Sequence, residues 1–128
     1  MSPSLLHSFY KEIQTTYGAN NPSSFSSTVE INAAHPIFNG HFKQVAITPG
    51  VCIIQMIKEV IEEKLKTTLI LEEGNNIKFL AMVNPNTNAE LTLDLQLSNE
   101  SEHLLCTATC KTEAGICVKF KGKFGRIS

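Results

Sequence analysis

The chain has 128 residues, the length of one ordinary domain, so we expect neither a second domain nor a long repeat array. Hydrophobic residues make up 42% and charged residues 18%, so we expect one folded core rather than disorder. A formal net charge of −1 lacks the basic excess of a general nucleic-acid-binding protein.

No segment of the sequence suits a membrane or a secretory signal. Apolar runs such as residues 51–56 are far shorter than the roughly 20 residues that a membrane-spanning helix needs. The N-terminus also lacks a basic start followed by an apolar core. We therefore expect a soluble, cytoplasmic protein with no membrane span and no nucleic-acid partner.

The sequence shows no metal-binding pattern. Asp94 is the one aspartate, and the cysteines form no C-x-x-C pair, so we expect neither a metal nor a cofactor. Alternation in the last hairpin places Cys110 inward and Cys117 outward, which excludes a disulfide between them. We expect buried, reduced thiols at Cys52, Cys106, Cys110 and Cys117.

The N-terminal segment, residues 1–17, is predicted to be an appended helix. Apolar side chains recur there at helical intervals behind a potential capping residue, Ser4, and Gly18 ends the pattern. From residue 25 to residue 33 the period changes to two, which predicts a half-buried strand. The apolar positions of the predicted helix are Leu5, Leu6, Phe9, Tyr10 and Ile13.

The most apolar stretch of the chain predicts a central helix. Thr48 supplies a capping residue, Pro49 suits the first helical position, and Gly50 opens a run that is apolar on nearly every side. The remainder predicts strands at residues 68–71, 77–83, 89–97, 103–111 and 116–124. This order predicts a single α+β domain over residues 1–128, with one helix lying against one antiparallel sheet.

Residues 35–51 form a loop with two histidines that leads into the Pro-Gly start of the helix. Gly50 leaves a backbone N–H uncovered by any side chain, at the positive end of the helix dipole, where an oxygen gaining negative charge is stabilised. His41 precedes it, and imidazole has the ordinary pKa best suited to proton transfer near neutrality. From spacing alone, a structural and a catalytic histidine both fit this pattern.

The segment Gly40-His41-Phe42, followed by Thr48-Pro49-Gly50-Val51-Cys52-Ile53-Ile54-Gln55, resembles the pattern G-H-F-P-x-x-P-x-M-P-G-V-x-x-x-E. That pattern is typical of the FabA/FabZ-type hotdog dehydratases, which act on 3-hydroxyacyl groups carried by acyl carrier protein. More loosely, the resemblance extends through Asn76-Ile77-Lys78-Phe79 and covers about residues 29–98. It implies a hotdog fold, in which a curved antiparallel sheet wraps one long central helix.

Carried over position by position, the resemblance implies catalytic roles for His41 and Gln55. It implies that Gly50 donates its N–H to the thioester carbonyl and that Phe42 and Val51 lie beside the substrate. It also implies a dimer, homodimeric or with a related hotdog chain, because the histidine of one protomer meets the acidic helix residue of the other.

Gln55 departs from the family, because it stands where the catalytic carboxylate is expected and no Asp or Glu occurs between Glu30 and Glu59. Lys43 likewise replaces a proline, and the family's N-terminal signature is absent, which indicates a divergent branch. An amide cannot titrate but can hold a hydroxyl or a water, so His41 would serve as both base and acid. On this hypothesis, Gln55→Glu is expected to raise turnover.

Three functions fit these residues. The first is a dehydratase of 3-hydroxyacyl chains on acyl carrier protein, in fatty acid or polyene-type lipid biosynthesis. The second is a non-catalytic or partner-dependent hotdog subunit that binds acyl carrier protein, and the third is a hotdog thioesterase.

The C-terminal residues 111–128 are basic. Because acyl carrier proteins are acidic, this excess predicts a docking surface, although outward lysines on a terminal strand also protect sheet edges from aggregation. Against the single acid Glu113, the segment carries Lys111, Lys119, Lys121, Lys123 and Arg126.

Overall fold

The computed structural model describes residues 8–18, 23–35, 48, 50–86, 89–100 and 102–127. The strands among them form one antiparallel sheet in the order β1-β2-β4-β5-β6-β3, so β1 and β3 are its edges. The elements in chain order are β1 (Tyr10–Tyr17), β2 (Ser24–Ile31), α1 (Gly50–Leu65), β3 (Leu69–Phe79), β4 (Glu90–Glu100), β5 (His103–Thr112) and β6 (Gly115–Arg126).

One hydrophobic core joins the helix to the inward face of the curved sheet. In β4, Leu91, Leu93 and Leu95 are buried while the residues between them are not, as the alternating sequence predicts. The predicted central helix and the α+β architecture are confirmed. The residues that α1 buries are Cys52, Ile53, Met56, Ile57, Glu59, Val60 and Ile61.

The predicted N-terminal helix is wrong over residues 10–17, which form strand β1, while residues 1–7 lie outside the described part. The register runs from Tyr10 opposite Ile31 to Tyr17 opposite Phe25, with an irregularity after Glu12. The apolar spacing fits a helix, but the segment is rich in β-branched and aromatic residues that suit a pleated surface. Pairing with β2 therefore decides its structure.

Glu12 ties β1 to its neighbours. Its carboxylate accepts hydrogen bonds from the Ser27 hydroxyl on β2 and the Thr15 hydroxyl, and Lys64 Nζ of α1 lies 3.0 Å from its Oε1. Burial alone would raise the pKa of Glu12, but the bonds from Ser27, Thr15 and Lys64 hold it below its ordinary value. A charged group thus fastens the edge strand to the helix.

Strand β3 replaces two of the predicted strands. Residues 68–71 and 77–83 were expected to be separate strands, yet one strand runs from Leu69 to Phe79, and the chain then leaves the sheet. Glu72 to Asn76 resembles a turn in sequence, but irregularities after Leu71 and Gly74 keep the strand paired with β6. Only Leu69 of its eleven residues is fully buried.

All four cysteines are buried and free, as predicted. The predicted outward position of Cys117 is wrong, because an irregularity at Cys110/Lys111 shifts the register of the hairpin and Cys117 is 1% exposed. Its thiol donates to the carbonyl oxygen of Cys110 at 3.3 Å. Burial raises the pKa of Cys106 to about 12, which keeps that thiol protonated and unreactive at neutral pH.

Candidate active site

The chain at the end of β3 and just beyond it, residues 79–83, contacts the start of α1. The N–H of Thr48 donates to the carbonyl oxygen of Val83 at 2.8 Å. The Phe79 ring lies directly against Gly50, where an added Cβ would clash with Phe79 Cε1. A side chain at residue 50 would therefore push this ring away, which gives the glycine a steric role beside its expected oxyanion role.

The positive end of α1 is not neutralised by a side chain among the described residues. The first turn has no acidic residue, and its N–H groups lack partners within the helix. The hydroxyl of Thr48, the predicted cap, is buried and makes no hydrogen bond within the described part. The backbone N–H of Gly50 belongs to this first turn, and its expected role as a donor to a thioester carbonyl remains a prediction.

An apolar surface lies beside this helix start. Val51, the predicted substrate-contacting residue, is 72% exposed, and Phe79, Leu80 and Met82 are also exposed. Exposed large apolar side chains that cluster in this way mark a binding or association surface. An acyl chain or a second protein chain would remove them from water.

Gln55 lies one helical turn after Val51 and is half-buried. Its Nε2 donates to Oε2 of Glu59 at 2.8 Å, and the Tyr10 hydroxyl donates to Oε1 of the same carboxylate at 3.0 Å. Glu59 is 8% exposed. The polar partner that a buried glutamine requires is therefore a carboxylate four residues further along the helix.

Sequence reasoning missed Glu59 as part of this cluster. The spacing of four residues from Gln55 was the available signal, since such residues share a helix face. The contact with Tyr10 had no such signal, because Tyr10 was assigned to a helix. Burial, and then the neighbouring Glu59 carboxylate, raise the pKa of Tyr10 far above its ordinary value, so its hydroxyl remains a donor.

Of the two histidines of the motif segment, His35 lies within the described residues. His35 follows β2, and its ring packs edge-to-face against Phe9 with the ring centroids 5.4 Å apart. His41 and Phe42 lie outside the described residues, so their predicted roles remain predictions. Gly50, Val51 and Gln55 are brought together along the first turns of α1.

No metal centre is evident in the described part of the chain, where no group of three or more His, Cys, Asp or Glu side chains could hold an ion. None of the described helices is long and apolar enough to cross a membrane.

A curved antiparallel sheet around one long helix defines the hotdog class of proteins, as the sequence resemblance implied. The family model described as ApeI-like, ApeI dehydratase, matches residues 18–120. The chain belongs to the ApeI-like dehydratase family. The expected hotdog dehydratase relationship is confirmed, although the matching family is the ApeI-like one rather than the FabA/FabZ type.

Solved structures share this fold. The dehydratase heterocomplex ApeI:P from Xenorhabdus doucetiae matches with a TM-score of 0.74 and 19% identity over 90% of this chain and 96% of that chain. A hypothetical thioesterase with coenzyme A from Streptococcus pneumoniae matches with a TM-score of 0.62 and 8% identity, over 90% and 87%. The PaaI protein of E. coli, from the phenylacetic acid degradation operon, matches with a TM-score of 0.61 and 16% identity, over 93% and 80%. Among curated proteins, none matches this chain.

Proposed function

We propose that this protein dehydrates 3-hydroxyacyl thioesters carried by acyl carrier protein. The observation that carries the proposal is the start of α1 at Gly50, whose first turn holds no acidic residue, with the Gln55 amide one turn further along the same helix. Membership of a dehydratase family supports the reaction class. The fatty-acyl or polyene-type nature of the chain follows from the resemblance.

In the proposed reaction, His41 takes a proton from the α-carbon of the acyl chain. The electron pair of that C–H bond forms the new double bond, with enolate-like charge on the thioester oxygen stabilised by the Gly50 N–H. The bond from the β-carbon to oxygen then breaks, and the protonated His41 returns its proton to the departing hydroxyl. Water leaves, and Gln55 orients the hydroxyl as it departs.

A hydration assay tests the proposal in the reverse direction. Purified protein is mixed with an enoyl thioester, and loss of the conjugated absorbance is followed together with product analysis. Formation of the 3-hydroxyacyl thioester supports the dehydratase. Release of the free acid would instead favour the thioesterase alternative, for which the thioesterase fold relative is the specific observation.

A second hotdog chain is proposed to complete the site. Edge strand β3 is eleven residues long and almost entirely exposed, and long exposed edges are templates for pairing with another chain. Ile70 and Leu71 on this strand are exposed together with the apolar surface around Val51 and Phe79. The partner is either a second copy or a related chain, as the name of the Xenorhabdus heterocomplex suggests.

We predict that the chain is dimeric at micromolar concentration, alone or with that related chain. The change Phe79→Asp should weaken the association, because it places a charge in the apolar surface. Sedimentation velocity measures the effect, and Ile13→Asp on the opposite edge strand is the control, since Ile13 is also exposed. A protein that stays monomeric alone and also when it is mixed with each related hotdog chain would contradict the two-chain site.

The docking surface for the carrier is proposed on the outer face of the sheet. Lys119 of β6 lies directly opposite Lys78 of β3, and Lys121 lies opposite Asn76. Like charges directly opposite one another destabilise a sheet, and no ion pair of these three lysines occurs in the described part. β6 is an interior strand, so edge protection does not account for its lysines. An acidic carrier would relieve the repulsion.

We predict that reversing Lys119 and Lys121 to Glu weakens carrier binding by roughly 10-fold at low salt, with little change in Tm. Wild-type affinity should itself fall steeply with added salt. The matched control is Lys11→Glu, because Lys11 is an exposed strand lysine on the far edge that pairs with Glu30 at 3.3 Å. Unchanged affinity after the double reversal would assign the lysines to solubility and move docking towards Lys43 and Lys58.

A further inference from the structure

We propose that Glu59 is a positioning residue, which fixes the Gln55 amide with its carbonyl oxygen directed at the reacting hydroxyl. This inference rests on the proposed function and adds a residue to its site. It is carried by the two hydrogen bonds that join Gln55, Glu59 and Tyr10 at 2.8 Å and 3.0 Å.

The chemistry of the carboxylate decides the orientation of the amide. In the observed contact the Glu59 carboxyl oxygen accepts from the NH₂ end of Gln55, so the contact selects that end of the amide. Tyr10, which donates to the other carboxylate oxygen, holds Glu59 in place from strand β1. Oε1 of Gln55 therefore faces away from Glu59, and it accepts no hydrogen bond within the described part of the chain.

Burying the Glu59 carboxylate costs folding free energy, which favours a functional role for the residue. A carboxylate removed from water is unfavourable, and an apolar residue on the buried face of α1 would fill the same space without that cost. A structural account remains, in which the contact only fastens β1 to α1. Glu12 and Lys64 already make such a fastening, at 3.0 Å, without touching Gln55.

The orientation has a consequence for the reaction. A fixed acceptor at Gln55 Oε1 binds the hydrogen of the substrate β-hydroxyl and leaves the lone pairs of that oxygen free to accept the returning proton. An amide free to flip would also offer its NH₂ group, and that group would compete for the same lone pairs.

The test compares Glu59→Gln with Glu12→Gln. A glutamine at residue 59 can donate or accept, so it preserves shape but no longer selects one orientation. We expect kcat to fall about 10- to 100-fold, with KM nearly unchanged. Glu12→Gln removes the other link between β1 and α1, so it should lower Tm and leave kcat as it is.

A second measurement does not depend on turnover. In ¹H–¹⁵N spectra, the side-chain amide signals of Gln55, assigned by their loss in Gln55→Ala, should move strongly in Glu59→Gln and little in Glu12→Gln. Unmoved signals, or an unchanged kcat in Glu59→Gln, would overturn the positioning role. A wild-type protein without dehydratase activity would instead overturn the proposed function, while the amide signals still report whether the contact exists.

Discussion

His41→Ala is expected to abolish dehydratase activity while the dimer and Tm are retained. In the proposed reaction His41 carries out both proton transfers, since Gln55 cannot titrate, so its removal takes away base and acid together. Loss of a single general acid or base commonly costs about 10²–10⁴-fold, and the loss here should reach at least the upper end of that range. The enoyl thioester hydration assay, run at high enzyme concentration, measures it.

The control for this experiment is His35→Ala. His35 belongs to the same stretch of sequence, but its ring packs on Phe9, so its removal should affect stability more than turnover. His41→Gln serves as a second variant if the alanine protein folds poorly. Activity that persists in both His41 variants would show that the role inferred from the resemblance is wrong.

The sequence predicts the elements whose burial pattern is local. β4 alternates without a fault, and α1 begins where Pro49 and Gly50 indicate, because each signal lies within the segment itself. Strand β1 could not be predicted in this way. Its structure depends on pairing with β2 and on two contacts with α1. Tyr10 contacts Glu59, which is 49 residues further along the chain, and Glu12 contacts Lys64, which is 52 residues further.

In the candidate site, too, the residues that local sequence signals indicate could be predicted and the others could not. Resemblance locates Gly50 and Gln55, because motif spacing is a local property of the chain. Glu59 lies within one turn of Gln55, yet a glutamate on a helix usually faces water, and nothing local indicates that this one is buried. Its partner is distant in sequence, because the hydroxyl that donates to its carboxylate is that of Tyr10 on β1.

This geometry changes the expected effect of restoring a carboxylate at residue 55. Gln55→Glu alone would set two carboxylates where an amide now donates to Glu59 at 2.8 Å. Two carboxylates at such a distance repel each other and the amide donor to Glu59 is lost, so stability should fall by about 1–3 kcal/mol without a gain in turnover. Urea unfolding and the hydration assay measure the two effects.

The double variant Gln55→Glu with Glu59→Gln exchanges the two side chains. The amide at residue 59 can then donate a hydrogen bond to the carboxylate at residue 55. The net charge of the pair is unchanged, so stability should return close to that of the wild type. A titratable group then stands at residue 55, and turnover should exceed the wild-type value by about 10-fold or more. If the single variant gains as much as the double variant, Glu59 does not control residue 55. If neither gains and both remain dimeric, the reaction does not use a carboxylate at this position.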